Sequence, residues 1–153
     1  MVVLETVVLL AIAGALGKVH LPTDWHRWLT LIWVTVLGVA AGSLLGIAFS
    51  SVPRTGRAAP ATVTPVALVL QFISGIYFVF TDGPWWLQHL AALFPLKWIA
   101  QGYRSAFLPD GYAQFEPGHG WEHGRVALVL VAWSVGGLLL ALRTFRWRSS
   151  RDS

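Results

Sequence analysis

SGIYFVFTDGPWWLQHLAALFPLKWIAQGYRSAF, residues 74–107, decides how this chain is read. An apolar helix of membrane character closes on Asp82-Gly83, and two short apolar helices divided by Pro95 follow at once. Each short helix has about a dozen residues and reaches roughly 16–20 Å, against roughly 30 Å for the hydrocarbon core of a bilayer. Neither can cross alone. An apolar segment that enters a membrane without crossing it must be sheltered by protein or line a cavity. That indicates a pathway or gate rather than a simple anchor.

Within this stretch, Pro84 and Pro95 each suit the first turn of a helix, where the missing N–H is not needed. After Pro95, Leu96, Ile99, Ala100, Tyr103 and Phe107 recur at helical spacing on one face, and Lys97, Gln101, Arg104 and Ser105 form the opposite stripe. The pattern predicts an amphipathic helix in the outer leaflet with its polar edge toward water or a vestibule. The alternative is an interfacial helix lying flat, with no part in a pathway.

The rest of the 153-residue chain agrees with lipid as its solvent. It is 56% hydrophobic and only 12% charged, about half the charge a soluble domain carries on its surface. There is no Cys, so disulfides and thiolate metal sites are excluded. The formal net charge of +4 does not indicate nucleic acid, because four basic residues (Arg143, Arg146, Arg148, Arg151) crowd the last eleven positions, just after an apolar run. A membrane helix is held on its cytoplasmic side in this way.

Four apolar runs predict spanning helices at about 1–17, 29–49, 63–81 and 125–142, with the short pair at about 84–93 and 95–107 and a basic tail at 143–153. The expected fold is therefore all-α and integral to the membrane. It is a single membrane domain over 1–153, with four transmembrane helices and two re-entrant or interfacial helices on the outer side between the third and fourth. The first run carries Glu5 and lacks the basic start of a secretory signal, so it reads as a membrane helix. The second connection and the tail hold six Arg in 24 residues; the first and third connections hold two Lys and two Arg in 54, with most of the acidic residues and all five His. The positive-inside rule then makes both termini cytoplasmic and turns residues 82–124 outward. Trp25, Trp28, Trp85, Trp86, Trp121 and Trp147 fall near the predicted interfaces, where an indole is best accommodated.

Gly38, Gly42 and Gly46 recur every four residues in the second run, a stripe that lets helix backbones approach closely, either within the chain or against another subunit. Gln71 and Ser74 in the third run suit interhelical hydrogen bonds. No Asp, Lys, Arg or His lies inside any run, which argues against proton-coupled transport. No internal repeat is visible, so an inverted-repeat transporter gains no support. Glu116, His119, Glu122 and His123 (EPGHGWEHG) have the residue types of a metal cluster, but Pro117, Gly118 and Gly120 favour a solvated loop. No phosphate-binding GxxxxGK[ST] is present, so this chain does not hydrolyse ATP by itself.

From about Leu37 onward the chain resembles the permease subunits of type-2 ABC transporters, which export drugs, lipids, polysaccharides and related molecules. The resemblance rests on LLGIAFSSVPRTGRAA, on Phe72-Ile73-Ser74-Gly75, on Pro84-Trp85-Trp86-Leu87-Gln88, Pro95-Leu96 and Arg104, and on a last helix with a basic tail. It implies a membrane subunit of an ATP-driven exporter in a bacterial plasma membrane. Its outer gate would include Pro84, Trp85, Trp86, Pro95, Lys97, Gln101 and Arg104. It further implies a cytoplasmic ABC ATPase partner carrying ATP and magnesium, a second permease subunit (identical or different), contact with lipid, and no cofactor on this chain. Such permeases have six membrane helices, so the first two, with the amphipathic N-terminal helix and the cytoplasmic coupling element, are expected to be missing here. The competing expectation is a small membrane scaffold or assembly protein that conducts nothing.

Overall fold

The computed structural model describes residues 2–17, 22, 24–49, 59–76 and 84–144. The connection at 50–58 with Arg54, the Asp82-Gly83 turn, and the tail from 145 with Arg146, Trp147, Arg148 and Arg151 lie outside the described residues. Among the described residues there are six α-helices, α1 (Val2–Ala15), α2 (Trp25–Phe49), α3 (Ala59–Ile73), α4 (Trp85–Ala92), α5 (Pro95–Phe107) and α6 (His123–Thr144), with a 3-10 turn at Asp110–Phe115. Among the described residues there is no strand.

Two helices among the described residues are long and apolar enough to cross a membrane, over Trp25–Ile47 and His123–Arg143, with mean hydropathy of 2.0 and 2.1. Both helices start earlier than the apolar runs expected at 29 and 125. A helix is set by its backbone hydrogen bonds, which take in polar residues at its ends. The amides of Arg27 and Trp28 already bond the Asp24 carbonyl, and that of Arg125 bonds the Glu122 carbonyl.

The third run differs more. The helix expected over 63–81 begins at Ala59, with Pro60 in its first turn, and stops at Ile73; residues 77–81 of the expected run lie outside the described residues. The stop is a glycine: Gly75 adopts φ 72°, a left-handed conformation open to glycine at little cost. Hydropathy averaged along the run passes over that residue without registering it. α1 and α3 are thus helices of 14 and 15 residues, shorter than the ~20 a perpendicular crossing needs.

α2 and α6 begin at the same end and run side by side. Near that end the Trp33 and His123 rings meet edge to face at 6.4 Å. Farther along, Gly137 approaches Leu44 so closely that a Cβ there would sit 2.9 Å from the Leu44 Cβ. Val34, Trp98, Val126 and Leu130 form the core, with Trp33, Leu37, Ala92, Ile99 and Val129 packed around it. The opposite faces of the long helices are left apolar and exposed, as at Val36 on α2 and Leu128, Val135 and Leu142 on α6. Surfaces of that kind suit lipid rather than water.

Candidate functional site

The short helices form a tight hairpin. Phe94 is extended (φ −98°, ψ 143°), as a residue before proline prefers, and Pro95 then opens α5. Trp98 Nε1 donates to the Ala92 carbonyl at 2.8 Å and closes the turn from within. Trp133 Nε1 donates to the Leu93 carbonyl at 2.8 Å, and the Phe94 ring stacks on Trp133. Trp133 stands ten residues along α6 from His123, which at helical rise is ~15 Å.

From that turn α5 climbs back antiparallel to α2. Ile99 lies against Gly38, where a Cβ would come within 3.2 Å of its side chain. At Gly102 a Cβ would meet both Val34 methyls at 2.7 Å. Thr35 Oγ1 donates to the Leu31 carbonyl and accepts from the Tyr103 hydroxyl at 3.0 Å. At the top, Arg27 reaches the Leu108 carbonyl at 2.8 Å and Asp110 at 3.3 Å.

The polar stripe of α5 does not face water. Gln101 is fully buried, Lys97 and Ser105 nearly so, and the Arg104 side chain is 20% exposed. The stripe turns inward because the segment after α5 folds over it and supplies partners. Buried polar groups need such partners, or the desolvation cost stands uncompensated. Arg104 holds Glu116 with two bonds, Nε to Oε1 at 2.5 Å and Nη2 to Oε2 at 3.1 Å. Its third nitrogen donates to the Gly75 carbonyl at 3.0 Å. One guanidinium therefore joins the hairpin, the loop after α5 and the end of α3. Gln101 Nε2 donates to the Gly120 carbonyl. Ser105 Oγ donates to the Gly102 carbonyl and accepts from His123 Nε2 at 3.0 Å. Lys97 places its ammonium 3.7 Å from the centre of the Trp98 ring. Burial pulls its pKa below the ordinary lysine value, while the carboxylates of Glu122 and Glu116 oppose that shift.

The remaining sequence candidates divide. Pro95 is buried under the hairpin, whereas Pro84, Trp85 and Trp86 are exposed. Of the glycine stripe, Gly38 packs within the chain, and a Cβ at Gly42 or Gly46 would meet nothing within 4 Å. Gln71 is half-buried, and Ser74 is buried with its hydroxyl unpartnered. The four residues of the metal-like cluster are spent separately: Glu116 on Arg104, Glu122 on Arg125, His123 on Ser105, and His119 beside the Gln114 carbonyl. Among the described residues no group of three or more His, Asp or Glu is placed to hold a metal. His119 and Glu122 do carry positive φ, 52° and 40°, conformations uncommon outside glycine, at the bend where the loop enters α6. Sequence reasoning missed the partners, chiefly Glu116 and Gly75. The first was hinted at only by its place in the same connection as Arg104, which it shares with Asp82, Asp110 and Glu122.

A family model described as ABC-2 family transporter protein matches residues 1–143. The match takes in α1, which the sequence resemblance beginning at Leu37 left outside. No curated protein and no solved structure matches the chain.

Proposed function

Because the chain belongs to the ABC-2 family of transporter proteins, we propose that it is a permease subunit of an ATP-driven exporter, with the α4–α5 hairpin as part of the outer gate. The family is a membrane transport component and not itself catalytic, so a separate cytoplasmic ATPase would supply MgATP hydrolysis. A second permease subunit would complete the pathway for a drug, lipid or polysaccharide-like substrate. In this reading the longer apolar runs that contain α1 and α3, about 1–17 and 63–81, cross together with α2 and α6, both termini face the cytoplasm of a bacterial plasma membrane, and residues 84–122 face out.

The observation that carries the reading is the depth of the hairpin. Its turn is pinned to Trp133, ~15 Å along α6, about half the thickness of a hydrocarbon core. α5 then returns to the end where α2 begins, so the backbone enters and leaves without crossing. Non-helical backbone at such depth is tolerated only where protein shelters it or a cavity opens beside it. Sealed by the Trp133 bond below and the Arg104 bonds above, the hairpin would close the outer side.

Co-reconstitution with a cognate ATPase tests this. ATP-dependent export is expected, and it should stop when α5 is locked to α2 by crosslinking cysteines placed at positions 38 and 99. Export that continues through the crosslinked protein would remove the gate. An ATPase indifferent to the chain, with no export, would favour the scaffold.

A further inference from the structure

A cavity of ≈ 20 Å³ lies where the end of α3 meets the hairpin and the loop after α5, with Ser74, Gln88, Lys97, Arg104 and Glu116 among its walls. Its size admits one water-sized particle. Two of the walls are polar groups without a hydrogen-bonding partner among the described residues. The Ser74 hydroxyl is 1% exposed and makes no hydrogen bond. Lys97 is 9% exposed, and its ammonium has the Trp98 ring but no carboxylate within salt-bridge distance.

The charges around the cavity do not cancel. Lys97 feels Glu122 and Glu116 on one side and Arg104 and Arg125 on the other. Both carboxylates are already engaged, Glu116 by Arg104 and Glu122 by Arg125. Among the described walls, Lys97 and Arg104 stand against Glu116 alone, and Glu116 is taken by Arg104, so the Lys97 charge is left without a counter-charge at the cavity. A buried charge is costly unless it is paired. Water would satisfy the Ser74 hydroxyl but would bring no charge. A phosphate, sulfate or carboxylate would bring charge but would have to leave its other oxygens outside this one-particle space, whereas a monatomic anion fits within it.

We infer that this cavity binds a single chloride ion, held by the Lys97 ammonium and the Ser74 hydroxyl beside the Arg104–Glu116 pair. The ion would complete the charge balance of the junction that fastens α5 to the end of α3. It would also make that junction sensitive to chloride concentration. The inference stands on the burial and charge of these residues and does not require the gate to be functional.

The test is thermal unfolding of the purified full chain in detergent, at constant ionic strength, with chloride replaced stepwise by gluconate. A ligand confined to the native state raises the folding equilibrium constant by 1 + [L]/Kd, about tenfold when chloride is ten times its Kd. The expected result is a saturable rise with chloride, reproduced by bromide and not by sulfate. Ser74→Ala and Lys97→Met should each abolish the rise. Ser74→Ala is the milder change and keeps the test sound if Lys97→Met folds poorly. Bromide should also give an anomalous peak between Ser74 and Lys97 in crystals. Identical unfolding in chloride and gluconate, a rise undiminished in both variants, or a water only in the cavity would overturn the site.

Discussion

The shaft made by α2 and α6 and the cap made by α5 with the loop that follows it are held together by different means. In the shaft, contact is apolar and close, through Val34, Val126 and Leu130 and the approach of Gly137 to Leu44. Most of its remaining surface is left to lipid. In the cap, polar side chains carry the structure, and their partners lie 12, 19 and 29 residues away along the chain. Close packing tolerates small trimming, whereas a buried polar network fails when one member is removed. The shaft should therefore be sensitive to added bulk and the cap to lost partners.

The largest expected effect is in the cap. Arg104→Ala would strand the buried Glu116 carboxylate, costing about 3 kcal/mol, the lower end of the range for breaking a buried pair because Arg104 keeps some exposure. Removing both partners in Arg104→Ala/Glu116→Ala should cost less than the sum of the single changes, which unfolding in mixed micelles would measure. Next comes the seam where cap meets shaft. Gly102→Ala would drive a Cβ into the Val34 methyls at 2.7 Å, an overpacking of about 1–3 kcal/mol, and Val34→Ala should relieve it. Gly42→Ala, with open space around it, should be neutral or stabilising by up to ~1 kcal/mol from helix propensity. If Gly42→Ala proved as harmful as Gly102→Ala, the division between packed and open glycines would fail.

Between the Gly102→Ala and Gly42→Ala effects falls Gly75→Ala, where a side chain at φ 72° costs about 1–2 kcal/mol. That variant should also weaken the Arg104 contact to the Gly75 carbonyl, seen as faster proteolysis after Ile73. The smallest effect is a pH trend. Lys97 has a lowered pKa in the native state, so between that value and the ordinary lysine range the unfolded chain holds a proton the native chain has released. Stability should then rise with pH through that window. In chloride-free buffer the trend should flatten in Lys97→Met.

The shaft was legible because one property, a long uncharged run, is written locally in residues 29–49 and 125–142. The hairpin was legible for a related reason, since Pro84 and Pro95 mark its helices and neither helix is long enough to cross. The direction of the α5 stripe was not. Lys97, Gln101, Arg104 and Ser105 sit on one face whether that face meets water or protein, and what decides is the loop at 116–123 folding back. Periodicity within a helix carries no information about so distant a partner. The early stop of α3 has the same character, for a glycine in an apolar run looks the same whether it bends the chain or packs inside a helix.

Side-specific labelling of single cysteines in this cysteine-free chain tests the central claim most directly. Trp85 and Tyr112 flank the α4–α5 hairpin and are 74% and 50% exposed, and Arg143 lies at the far end of α6. With a membrane-impermeant maleimide, Trp85→Cys and Tyr112→Cys should both react in intact cells, and Arg143→Cys only after permeabilisation. Reaction of Trp85→Cys and Tyr112→Cys from opposite sides would mean that the hairpin crosses the membrane, and would contradict a gate that enters and returns.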